Sequence, residues 1–99
     1  MNRNETYEQQ LSQRLLKSPK QTKHFLFALM EGDDGMSLEA ALKHTIYRMG
    51  VKEFAKLAKV HAPHVTAFLR GKRTPKPETL NTYLAPFGLR IRYELEEVA

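Results

Sequence analysis

Apolar residues recur at three- and four-residue steps along most of this chain, the spacing of helices that bury one face. The clearest stripe is Leu38, Ala41, Leu42, Thr45, Ile46 and Met49, with Ser37 placed to cap its start and Gly50 to end it. Upstream, Ser18 caps a second helix, Pro19 takes its first position and Gln21 completes a capping box. That helix turns Phe25, Leu26, Leu29 and Met30 toward a core and stops before Gly32. A further helix is predicted over Glu5 to Lys17, with Tyr7, Leu11 and Leu15 on one stripe. The run Glu31-Gly32-Asp33-Asp34-Gly35 is turn chemistry without the spacing of a calcium loop, so no metal is assigned to it.

From Val51 the pattern shortens. Phe54, Ala55 and Ala58 share one face, and Val65, Phe68 and Leu69 share another after a break at Val60-His61. Ala55 is small enough to let a second helix cross closely above it. Two short helices joined by a tight turn predict a helix-turn-helix, the unit that offers its second helix to the major groove of DNA. The second helix should begin at Ala62 or Pro63, with His61 as a weak cap and Pro63 keeping that end rigid. His64, Thr66, Ala67 and Arg70 then point away from the apolar face. His64 and Thr66 can hydrogen-bond base edges or phosphates, Ala67 can meet a thymine methyl, and Arg70 can pair with guanine or phosphate. Lys52, Lys72, Arg73 and Lys76 are expected on the phosphate backbone.

Beyond Thr74-Pro75-Lys76, Pro77 opens a last helix with Leu80, Tyr83 and Leu84 inward. Pro86 collides with the preceding turn of a helix, so this one should end near Leu84 or Ala85, leaving Pro86-Phe87-Gly88 as a turn. The segment Leu89-Arg90-Ile91-Arg92-Tyr93-Glu94-Leu95 breaks the helical rhythm and alternates apolar and charged residues, which predicts a strand. No other segment alternates, so the strand has no mate in its own chain. It either pairs with the same strand of a second copy, adds to a sheet in another protein, or packs on the helices as an irregular tail. Leu89, Ile91, Tyr93 and Leu95 are the expected interface residues.

Charge sharpens this picture. Between Val51 and Pro77 seven cations face one anion, Glu53, a balance of +6. Residues 1–50 carry +1 and residues 78–99 carry −2, so the whole excess of the +5 chain sits on the two-helix unit. Charge concentrated in this way points to a polyanion as partner. Ninety-nine residues make one modest core, and the absence of cysteine removes disulfides, thiolate nucleophiles and thiolate zinc sites. No apolar run approaches a membrane span and the start is too polar for a signal-peptide core, so a cytoplasmic protein with no membrane partner is expected. His61 and His64 lie three apart, but no third ligand completes a zinc set, while His24 and His44 are scattered. Neither a Ser-His-Asp grouping nor a glycine-rich phosphate loop can be assembled. Neither a cofactor nor enzyme activity is expected.

Residues 38–88 resemble the Cro/C1-type (XRE) helix-turn-helix proteins. Phe54-Ala55, Val60, Val65 and Arg70-Gly71-Lys72-Arg73-Thr74-Pro75, with Leu80, Leu84 and Phe87-Gly88 following, match that family's spacings together. Lys59 departs from the glycine usual before the turn valine, His61 from the usual serine, and Val51 from a polar glutamine that braces the second helix or contacts phosphate. The N-terminal layout (Tyr7…Leu11, Leu16-Lys17-Ser18-Pro19, Phe25-Leu26…Ala28-Leu29, Glu31-Gly32-Asp33, Met49-Gly50) is similar to the HigA-like addiction-module antidote proteins. With the alternating tail read as one C-terminal strand, the resemblance implies a mainly all-α bundle of five to six helices with a lambda-repressor-like helix-turn-helix. It divides the chain into an N-terminal helical extension (1–36), the DNA-binding unit (37–88) and the strand and tail (89–99). It also implies a homodimeric repressor that binds a palindromic operator in double-stranded DNA and neutralises a RelE/ParE-type toxin. The alternatives are a phage-type regulator without a toxin, or a module acting mainly by protein–protein interaction.

Overall fold

The computed structural model describes Tyr7, Gln10, Arg14, residues 18–72 and residues 74–98. Among them the chain is mainly helical: α1 Pro19–Met30, α2 Leu38–Met49, α3 Val51–Ala58, α4 Ala62–Leu69 and α5 Pro77–Leu84, closed by a 3-10 turn over Ala85–Phe87. Tyr7, Gln10 and Arg14 are helical as expected for the first segment, and Tyr7 is exposed; the rest of Glu5 to Lys17 lies outside the described residues.

Local capping sets the boundaries. The Ser18 hydroxyl accepts the Gln21 amide at 3.2 Å and the Ser37 hydroxyl accepts the Ala40 amide at 3.2 Å, each satisfying one orphan donor of a helix start. Gly50 ends α2 and precedes α3 with no residue between them, at φ 106° and ψ 135°. Side chains rarely adopt that conformation, and a Cβ there would collide with the Glu53 carboxylate. Glycine is therefore what lets α3 leave α2 so abruptly.

The core is one cluster shared by all five helices. Leu26 of α1, Leu42 and Ile46 of α2, Phe54 of α3 and Val65 of α4 are fully buried, joined by Phe68, Leu80, Tyr83, Leu84 and Phe87. Phe54 sits at its centre, edge-on to Tyr83 at 5.4 Å and tilted against Phe87 at 6.3 Å, while Phe68 meets the same Tyr83 edge-on at 5.4 Å. Thr45, polar on an apolar stripe, is buried because its hydroxyl donates to the Ala41 carbonyl at 2.8 Å.

The C-terminal segment departs from expectation. No strand is present among the described residues, and residues 89–98 hold neither helix nor ladder. The reason is the one that made the segment an edge: a ladder needs a second strand, and none is present among the described residues. Leu89 and Ile91, expected at an interface between chains, instead pack partly against this chain's own core. The Ile91 amide donates to the Asn81 side-chain carbonyl at 2.7 Å, pinning the start of the tail to α5. Tyr93, Leu95 and Val98 are exposed. No helix among the described residues is long and apolar enough to cross a membrane.

Candidate nucleic-acid interface

The turn between α3 and α4 decides how the second helix is displayed. Lys59 adopts φ 58° and ψ 45°, the left-handed conformation that glycine takes at less cost. The Val60 amide then reaches back to the Ala55 carbonyl at 3.0 Å and the Lys59 amide to the Lys56 carbonyl at 3.4 Å, a Schellman closure. So the departure from glycine at this position changes its cost and leaves the turn intact. His61 follows as the N-cap of α4 and makes no side-chain capping bond, as its poor cap chemistry predicted.

α4 has two opposed stripes. Val65 and Phe68 are buried in the core. Ala62, Pro63, Thr66, Ala67 and Arg70, recurring at one- and three-residue steps on the other side, line an open groove of about 570 Å³. Val51 and Lys52 at the start of α3 and Lys72 beyond α4 line it as well. The floor is apolar and the rim cationic: Lys52, Arg70 and Lys72 are exposed. Glu53, the one anion of the segment, turns its carboxylate back against Gly50 at the start of α3, where the positive end of the helix dipole favours it.

The expected residues are distributed as follows. Pro63, Thr66, Ala67, Arg70, Lys72 and Lys52 come together on the groove. His64 is exposed but lies on the flank of α4, off the groove walls, with its ring edge-on to the His61 ring at 5.1 Å. Lys76 is exposed at the N-cap of α5, away from the groove, and Arg73 lies outside the described residues. Two wall residues, Val51 and Ala62, were not expected there. In the sequence Val51 stands out only as a departure from a polar brace; its place on the groove depends on how α3 packs against α4, which local spacing does not encode. Lys56 and Lys59 add exposed charge on α3 and its turn. Lys43 of α2 lies over the Phe68 ring at 5.4 Å, a cation placed beside the end of α4.

The chemistry available is recognition. A helix face about two turns long carries a hydroxyl, a methyl and a guanidinium between ammonium groups, which suits base edges flanked by phosphates. No protein-family model, curated protein or solved structure matches this chain.

Proposed function

We propose that this chain is a sequence-specific DNA-binding repressor whose α3–α4 unit is a helix-turn-helix, with α4 laid in the major groove. One observation carries the reading: the stripe of α4 opposite its buried face is open and rimmed by Lys52, Arg70 and Lys72. A solvated helix of no special role would not need its charges gathered at the rim of one groove while the segment's only anion turns back against Gly50. Thr66, Ala67 and Arg70 are the base-reading residues in this reading; Lys52, Lys72 and Lys76 hold phosphates and His61 and His64 flank the helix start. The resemblance to HigA-like antidotes extends the proposal to a homodimeric antitoxin that represses its own operon and covers a RelE/ParE-type toxin.

Selection from a pool of random duplexes tests the first part. The native chain should retain sites with two-fold symmetry, half-sites about one helical turn (~34 Å) apart. The double variant Arg70→Ala/Lys72→Ala should retain none above background; equal retention by both proteins would overturn the assignment of α4. The exposed Tyr93, Leu95 and Val98 favour a protein partner as well. Co-expressed with a RelE/ParE-type toxin, the chain should form a complex that survives the same double variant and is lost on truncation after Gly88.

A further inference from the structure

We infer that residues 90–96 of two copies pair as an antiparallel ladder centred on Tyr93, each Tyr93 facing its counterpart. This deepens the dimer of the reading above and needs no contact with DNA.

The charge order of the tail specifies the register. Along the charged side run Arg90, Arg92, Glu94 and Glu96, two cations followed by two anions. Antiparallel pairing about Tyr93 sets Arg92 against Glu94 of the second copy and Arg90 against Glu96, twice each by symmetry, while Ile91 meets Leu95. Parallel pairing in register puts every charge against its like. Moving the antiparallel centre by one residue sets Arg92 or Glu94 against itself, and a half-residue shift mixes charged and apolar faces. One register satisfies all four charges.

The structure supplies the geometry this needs. Arg92 and Glu94 meet at 2.9 Å on one exposed side, so alternate residues already share a face. The Ile91 amide is directed at Asn81 of its own body. Successive amides of an extended strand point to opposite edges, so on pairing those of Arg92 and Glu94 would turn away from Asn81, toward the second strand. The Tyr93 pair is then the closer, non-hydrogen-bonded kind, flanked on each side by an Arg92–Glu94 pair that exchanges two main-chain bonds. Tyr93 is 72% and Leu95 105% exposed in the single chain, whereas Ile91 is seated on the core. Placing Leu95 of the second copy beside Ile91 continues that apolar surface and covers what one chain leaves open.

The chain has no cysteine, so single cysteines report pairing cleanly. Under mild oxidation Tyr93→Cys should form a covalent dimer and Leu95→Cys should not, because only residue 93 faces itself; both positions are exposed and neither change disturbs the core. In sedimentation equilibrium Arg92→Glu should weaken the dimer about tenfold, since it spoils two symmetric pairs, and adding Glu94→Arg should restore it. Equal crosslinking at both cysteines, a monomeric native chain, or no recovery in the swapped variant would each overturn the ladder. If duplex selection fails while Tyr93→Cys still crosslinks, the DNA reading falls and the ladder stands; the converse result separates them the other way.

Discussion

Lys59 shows how one residue can be structurally misfit and still informative. Its left-handed backbone costs a non-glycine residue about 1–2 kcal/mol, partly offset because glycine has more unfolded-chain freedom to lose. Lys59→Gly should therefore stabilise the fold by about 0.5–1 kcal/mol, read as a higher denaturant midpoint at unchanged slope. If Lys59 also holds a phosphate in the proposed complex, the same variant should bind duplex more weakly, read in the same titrations as the other cation variants. Tyr83 carries a second single-residue prediction. Burial among Phe54 and Phe68 penalises the phenolate and raises its pKa above the ordinary 10.0. A group held neutral in the fold leaves stability intact below about pH 10 and removes it as pH rises through the raised value, because the unfolded chain releases its proton first. Thermal melts should fall in this alkaline range, and Tyr83→Phe should flatten that fall.

At the scale of elements, what could be read from the sequence was what depends on neighbours along the chain. The stripe of α2, the caps Ser18 and Ser37, the break at Val60-His61 and the end of α5 near Pro86 all follow from spacing and backbone chemistry within a few residues. Ser37→Ala tests how far such local signals carry energy: losing the bond to Ala40 should cost about 1 kcal/mol of global stability, since α2 supplies Leu42 and Ile46 to the core. A smaller loss would mean that the packed stripe holds the helix start without its cap. What could not be read were relations between elements. Val51 and Ala62 come to the groove through the way α3 and α4 pack on each other across the left-handed Lys59 turn, a relation that spacing within one helix does not encode. His64 is exposed, as its place away from Val65 and Phe68 predicts, and its ring lies edge-on to that of His61 rather than lining the groove. The tail shows the same division. Its alternation was legible, whereas the seating of Leu89 and Ile91 on the core depended on where α5 ends.

For the whole molecule the decisive quantity is where its charge lies. The segment from Val51 to Pro77 carries +6 of a total +5, so everything else is slightly acidic in sum. Duplex binding by such a chain should obey counterion release: the logarithm of affinity falls linearly with the logarithm of salt, by about 0.9 for each phosphate neutralised per bound chain. If phosphates are held at the groove rim, Lys72→Ala should lower that slope by about one for each chain in the complex and weaken all sequences alike. Arg70→Ala should do more than that, because a guanidinium directed at a base also discriminates, so the gap between selected and random duplexes should narrow. Lys20→Ala supplies the contrast. Lys20 is exposed on α1, outside the groove, and its loss removes the same charge from the same molecule. Titrations of the three variants at several salt concentrations separate a localised footprint from a diffuse one: a slope lost equally with Lys20 and with Lys72 would mean that net charge alone attracts the duplex. A slope lost only at Lys72 and Arg70 would place the phosphates beside α4, where the open stripe leaves room for them.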